Sequence, residues 1–409
     1  MRKFIVSICV LISLAGFATN YSSVECQGSL RPYPVPQQSY SYPDTLRPVF
    51  INHIGRHGSR YPAASASALL LKRHLQIADS LKTITPLGRE FLKSVNQVIN
   101  VSDGRWGELD SLGMAEQRGI AARMFLNYPS LLEKGNVNAI ATQSPRVVMS
   151  MYSFTHQLTQ LTSNISVTTS EGKKYSGLLR FFDVYDDYMS YIRGKSWRDV
   201  YNKYVDDIIP VSPVKRVLGD KYPFTDESLK DLAINQYYLI AGMSAMSLDF
   251  DYKPYYSLEE YNKLWSIFNL RQYLQRTGTT VSAVPAAIAS NLLQNMISVA
   301  DSVLTGKLKL QAQLRFAHAE TLMPLFSLMQ LPHCFYLTYY FDTVSKNWCD
   351  FYVVPMAANL QIIYFESESG QIYVRFDLNE TPVPVLPDSD EIYVPWSKAR
   401  EYLLTRMAL

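Results

Sequence analysis

The sequence predicts an α/β fold: a mostly parallel sheet flanked by helices, with a mainly α-helical cap domain inserted into it. Three observations predict it. Residues 48–53, 137–142 and 308–316 read as short buried strands, and each runs straight into charged or ionisable residues and then a helix. Between the second and third of these, from 166 to 300, the chain turns to long helical stretches rich in Tyr, Asp, Lys and Leu. After 300 the apolar, β-like runs return. With 47% hydrophobic and 18% charged residues among 409, a large packed core is affordable and global disorder is excluded.

Taken in order, the chain opens with a basic pair, Arg2 and Lys3, followed by an apolar run over 4–18. That run has the length of an export-signal core and is short for a membrane span. Gly16 and Ala18 suit cleavage after Ala18. An uncleaved anchor is the alternative. A lipid-modified Cys26 fits less well, because Val24 and Glu25 precede it. Pro32, Pro34, Pro36 and Pro43 make 19–47 an extended proline-rich arm.

The first strand leads to Gly55-Arg56-His57-Gly58-Ser59-Arg60-Tyr61-Pro62. Helices are expected over 64–82 and 114–128. The second strand ends at Ser144-Pro145-Arg146, with a helix over 147–161 and Pro145 at its favoured first position. Helices over 258–274 and 286–304 belong to the cap. The third strand ends at His318-Ala319-Glu320-Thr321, followed by a helix with Pro324 in its first turn. Further strands are expected at 335–341, 351–354, 360–365 and 372–376. The α/β domain is thus 48–165 with 301–409, and the cap 166–300.

Loss of Arg2 and Lys3 with the signal takes the formal charge from +3 to +1. So neutral a chain has no general attraction for nucleic acid, and any positive field must be local. Cys26, Cys334 and Cys349 would remain, an odd number that argues against a disulfide framework. One bridge, Cys334 to Cys349, stays open in an oxidising compartment. No spacing of Cys or His suggests a metal site, and no cofactor motif is present.

In open α/β sheets, ligands bind beyond the carboxyl ends of the strands. If the three strands are neighbours, Arg56, His57, Arg60, Arg146, His318 and Glu320 converge on one crevice. Guanidinium forks suit phosphate, and glycine beside them lets the backbone approach an anion. An imidazole nitrogen among them can attack phosphorus and form a covalent phosphohistidine. Nearby cations keep that imidazole unprotonated in acid. Glu320 is the candidate to protonate a leaving oxygen, and His318 to donate a hydrogen bond to phosphate. Arginine and histidine can stabilise the transferring group without a metal. Singly, each residue has an ordinary reading: a solvated loop histidine, surface arginines in weak pairs, a satisfied core histidine, an acid in a first helical turn.

Arg56-His57-Gly58-Ser59-Arg60-Tyr61-Pro62 resembles the RHGxRxP signature of histidine acid phosphatases. His318-Ala319-Glu320-Thr321, with Glu in place of the commoner Asp, looks like the multiple inositol polyphosphate phosphatase branch. Leu179-Arg180-Phe181-Phe182-Asp183, Pro355-Met356-Ala357-Ala358-Asn359-Leu360 and Asn379-Glu380-Thr381-Pro382-Val383 resemble that branch too. The resemblance spans about 49–384 and is patchy across the cap. It implies His57 as nucleophile, Arg56, Arg60, Arg146 and His318 as phosphate ligands, and Glu320 as proton donor. It also implies a histidine phosphatase fold with the substrate between its two domains. The small-molecule substrate implied is inositol hexakisphosphate and its lower phosphates. The chain departs from relatives in having no basic residue between Pro62 and Lys72. Arg180, Lys173 and Lys174 are candidates for outer phosphates, against the reading of a solvated basic turn.

A broad acid phosphatase acting on sugar phosphates or nucleotides is the nearest alternative. An inactive phosphate-binding relative is the next. The signal places the product outside the cytoplasm, periplasmic or secreted, with a bacterial source favoured and no stable membrane insertion after cleavage.

Overall fold

The computed structural model describes residues 20–407, so the expected export signal over 1–18 lies outside the described residues. Eight strands form one sheet: β1 (Leu46–Arg56), β2 (Gly135–Ala141), β3 (Ile165–Glu171), β4 (Ala312–Ala317), β5 (Asn359–Ser367), β6 (Ile372–Leu378), β7 (Thr381–Val383) and β8 (Val394–Pro395). Their order is β3-β2-β4-β1-β5-β6-β7, with β8 also on β6. The α/β fold class stands. Parallel pairing is confined to β3, β2, β4 and β1, whereas β5 to β8 pair antiparallel.

The longer helices are α1 (Ala66–Ser80), α2 (Pro86–Ser102), α3 (Ser111–Asn127), α4 (Pro145–Leu161), α5 (Asp186–Arg193), α6 (Ser196–Ile208), α7 (Asp226–Ala241), α8 (Leu258–Arg276), α9 (Ser290–Leu304), α10 (Ala319–Met329) and α11 (Trp396–Met407). Their starts carry local signals. The Thr85 hydroxyl accepts from Gly88 N–H ahead of Pro86, and Asp110 accepts from Leu112 N–H. Ser257 and Glu260 form a reciprocal capping box on α8. Among the described residues, none of these helices is long and apolar enough to cross a membrane.

Alternation along the strands builds two cores. Phe50, Ile54, Leu360, Ile362 and Tyr364 face α9, α10 and α11, while Ile51, Leu314, Phe316, Ile363 and Phe365 face α3 and α4. A third core contains no strand residue and draws α1 and α2 together with α7 and α8, with loop residues such as Tyr61 and Met356. It also takes Cys26 and Leu30, so residues 25–30 form a buried 3-10 turn where the sequence suggested only an extended arm. Gly28 permits this turn. Its φ is 59°, and a Cβ there would stand 2.8 Å from an Asp350 carboxylate oxygen.

Several expected elements differ. β3 went unread because it is a polar strand at the sheet's end, with only Ile165 fully buried. Residues 335–341 and 351–354 are not strands. Two carbonyls of 335–341 are taken by side chains from elsewhere in the chain, Tyr336 O by Tyr273 Oη at 2.7 Å and Thr338 O by Thr280 Oγ1 at 2.6 Å. Tyr339, 80% exposed, shows that this aromatic run was no burial signal. Asp350–Val353 is a short helix with Phe351 in the third core. Pro324 sits inside α10 rather than in its first turn, because the helix begins at Ala319 with His318 as its cap. Cys26, Cys334 and Cys349 are all buried and unbridged.

Candidate active site

The parallel strands β2, β4 and β1 are neighbours and end at one level. Arg56 lies opposite Ala317, and Ala141 opposite Phe316. His57, Thr142 and His318 are the next residues on each, so the three segments meet by register alone.

The signature loop is clamped through its backbone. His57 N–H donates to Ala317 O at 3.1 Å, and His57 O accepts from Ala357 N–H at 3.0 Å. Gly58 N–H donates to Ser150 Oγ at 3.1 Å. From α3, Gln117 Nε2 donates to Arg56 O at 2.9 Å, and Glu116 accepts from both the N–H and the hydroxyl of Ser59 at 2.7 Å. Gly58 serves a purpose the sequence did not suggest. A Cβ on it would stand 2.4 Å from Gly113 O, so its bareness admits the backbone of α3. A Cβ on Gly113 would meet Ser59 O at 2.2 Å.

The His57 ring is buried, with Nδ1 2.9 Å from Gly58 O. A carbonyl can only accept, so Nδ1 carries the proton and Nε2 keeps its lone pair. Burial pushes the imidazole pKa well below its ordinary value, and Arg146, Arg56, Arg60 and His318 push the same way. Arg56 is buried too and donates from Nη1 to Ser29 O at 2.6 Å and Val354 O at 2.7 Å. Arg60 donates to Tyr61 O at 2.8 Å. Arg146, at the start of α4, reaches Gly107 O at 3.5 Å. The buried Nε atoms of all three have no partner among the described residues. Burial, then mutual repulsion, lowers Arg56 to about 9 and Arg146 to about 10. An anion set among them relieves that repulsion and fills their donors.

His318 lies 5.8 Å from His57, centroid to centroid. Its Nε2 is 3.2 Å from Thr142 Oγ1 and 3.4 Å from Arg180 Nη1. Since guanidinium only donates, Nε2 accepts and the ring's own proton is on Nδ1. Burial, opposed by Glu320 and helped by Arg146, Arg180 and Arg56, lowers this histidine to about 3. Glu320 stands in the first turn of α10, and its Oε1 is 3.2 Å from Arg276 Nη2. Burial alone would raise the carboxyl pKa. Arg276, His318, a backbone N–H and Arg56 outweigh it and hold the group below the usual carboxylate range.

One cleft of about 510 Å³ joins these groups. Its floor holds Arg56, His57, Arg60, Arg146 and Glu320, and its opposite wall is α7 and α8, with Arg271 and Arg276. Arg180 reaches the floor through His318 while paired with Asp183 at 2.5 Å. Lys173 and Lys174 do not line the cleft. They lie exposed on the turn after β3, with the Lys174 ammonium 5.1 Å above the Tyr175 ring. Arg271 and Arg276 escaped the sequence reading because they sit on α8, away from any strand end. Gly113, Glu116 and Gln117 escaped it because their role is to hold the signature loop's backbone. Among the described residues, no cluster of three or more Cys, His, Asp or Glu is placed to hold a metal ion.

Comparison with known structures returns the same architecture. The multiple inositol polyphosphate phosphatase of Bifidobacterium longum, in its apo form, superposes with a TM-score of 0.81 at 19% identity, over 93% of this chain and 97% of that one. Its complex with inositol hexasulfate gives 0.78 at 18% identity, over 93% and 97%. The phytase from D. castellii gives 0.73 at 15% identity, over 95% and 86%. No curated protein sequence matches significantly. A family model, that of the histidine phosphatase superfamily (branch 2), matches residues 49–379, and its span takes in all three strand ends at the cleft: the chain belongs to this superfamily branch.

Proposed function

We propose that this chain is an exported phosphomonoesterase that removes phosphates from inositol hexakisphosphate and lower inositol polyphosphates through a phosphohistidine on His57. One observation carries the choice of substrate. Beyond the pocket of Arg56, Arg60 and Arg146, the same cleft has two further guanidinium groups, Arg271 and Arg276, on its opposite wall. A substrate with a single phosphate has no use for cations on both walls, whereas a ring bearing many phosphates does. The volume suits a small ligand.

His57 Nε2 attacks phosphorus, forming the N–P bond as the P–O bond to the inositol oxygen breaks. Arg56, Arg60, Arg146 and His318 hold the equatorial oxygens and stabilise their charge in a largely buried pocket. Glu320 gives its proton to the departing oxygen and becomes a carboxylate. It then takes a proton from water as that water attacks phosphorus. The N–P bond breaks, inorganic phosphate leaves, and Glu320 is protonated again. Arg180, bonded to His318, supports the phosphate side of the pocket. The N-terminal basic and apolar segment supports the export reading and a periplasmic or secreted site of action.

Turnover of inositol hexakisphosphate, compared with that of a singly phosphorylated sugar, tests the proposal. A clear preference in kcat/KM for the polyphosphate is expected. Equal or better use of the sugar phosphate would favour a broad acid phosphatase.

A further inference from the structure

Arg276 and Glu320 both line the cleft and are in direct contact. Arg276 is the last residue of α8 on the cap wall, and Glu320 stands on the floor, in the first turn of α10. Their side chains are 3.2 Å apart, 18% and 35% exposed, so a ligand can reach both. Arg276 also donates from Nη1 to Gln275 Oε1 at 2.9 Å, while its buried Nε has no partner among the described residues. Nη1 and Nη2 each carry a second N–H beyond these contacts, and Arg276 lines a cleft read as a polyphosphate site.

A carboxyl that must deliver a proton is poorly served by a guanidinium bonded to it, because that contact favours the carboxylate. The other charged or titratable groups facing Glu320 are His318 at the start of α10, Arg56 at the end of β1, Arg146 on α4 and Tyr188 on α5. Arg56 and Arg146 line the phosphate pocket, and a phosphate between them cancels their pull on Glu320. Arg276 bonds Gln275 and Glu320 rather than these two arginines, so a single phosphate held by Arg56 and Arg146 leaves its grip in place.

Resting on the functional reading above, we propose that Arg276 is a substrate-operated latch on Glu320: a second phosphate of a polyphosphorylated substrate takes the guanidinium, and the released carboxyl can then hold the leaving-group proton. The proton enters from solvent as substrate binds, passes to the leaving oxygen, and is replaced from the attacking water. A substrate with one phosphate binds but leaves the latch closed. The device makes Arg276 a positioning residue for the acid and a selector for polyphosphates.

The test is the pH dependence of kcat, which reports groups in the enzyme–substrate complex. Glycerol 2-phosphate offers one phosphate and a poor leaving group, and inositol hexakisphosphate offers several phosphates. In the wild type, the alkaline limb for the polyphosphate should lie above that for glycerol phosphate. In Arg276→Gln, the glycerol phosphate limb should rise by about one to three pH units. Turnover of glycerol phosphate above the wild-type limb should therefore increase about tenfold per unit. The polyphosphate limb should stay, while its KM rises about tenfold or more from loss of a charged contact. Arg276→Lys should keep the two limbs apart. A limb for glycerol phosphate that does not move in Arg276→Gln, with activity lost alike on both esters, would overturn the latch and leave the phosphatase reading standing. No turnover of either ester by the wild-type protein would overturn both.

Discussion

Gly113→Ala is a substitution whose two consequences oppose each other. In a helix interior, alanine in place of glycine stabilises by about 1 kcal/mol through backbone entropy, which is the upper bound for Gly113 in the first turn of α3. Gly113, however, lies where α3 touches the signature loop. An added Cβ would stand 2.2 Å from Ser59 O and 2.7 Å from both Ser59 N and Leu109 Cδ1. To restore even a 3.0 Å contact, loop and helix must part by roughly 0.8 Å, and such overpacking costs about 1–3 kcal/mol. The net stability change is then a loss of about 0–2 kcal/mol. Activity should suffer more. The displaced backbone belongs to Ser59, two residues from His57, and a misplacement near 1 Å costs about 100-fold in rate. The measurements are kcat and KM on a phosphate monoester, with the thermal midpoint. Gly119→Ala is the control on the same helix. Its nearest neighbour would be the flexible Arg123 Nη1 at 3.1 Å, so it should be stabilised and fully active. If Gly113→Ala behaves like Gly119→Ala, the clamp does not position the nucleophile.

Three further outcomes are expected. Glu320→Gln should slow alkyl phosphates about 100- to 10,000-fold and aryl phosphates with good leaving groups far less; equal losses on both would remove Glu320 from the acid's role. Glu260 lies between Arg216, Ser212 and the backbone N–H of Ser257, and these hydrogen bonds override its burial to hold it at about 2. Its contribution is thus fully present above the ordinary carboxylate range and is lost as pH falls through about 2. The stability gap between wild type and Glu260→Gln in urea should narrow steadily from pH 5 to pH 2; a constant gap would refute the assignment. Arg375 is 1% exposed and paired with Asp377 at 2.8 Å. Asp377→Ala should cost about 3–5 kcal/mol by leaving a buried cation without its carboxylate, read from the urea midpoint, and a loss below 1 kcal/mol would contradict it.

The strand ends were legible in the sequence because a buried strand in an α/β fold is a short apolar run, and ionisable residues just beyond it stand out. Register then did the rest, since Arg56 and Ala317 are cross-strand partners. What could not be read fell into two kinds. Arg276 and Arg271 lie on a helix whose charged residues look like any solvated face until its orientation over the cleft is known. The other kind is backbone satisfaction. Residues 335–341 looked like a strand, yet Tyr273 and Thr280, distant in sequence, take up two of their carbonyls. Residues 25–30 looked like a loose arm, yet Ser29 O holds the Arg56 guanidinium. Gly58 was read as room for an anion, and its bareness turned out to admit Gly113. Local pattern reports what a segment can bury, and these contacts depend on which distant partner arrives.

The account rests on His57 Nε2 as the atom that receives phosphorus. Rapid quenching into alkali with radiolabelled inositol hexakisphosphate, followed by peptide mapping, tests it directly. The expected result is one acid-labile, alkali-stable label on the peptide carrying His57, gained within a single turnover and absent in His57→Ala. Steady turnover with no such label, or a label that persists in His57→Ala, would contradict the account.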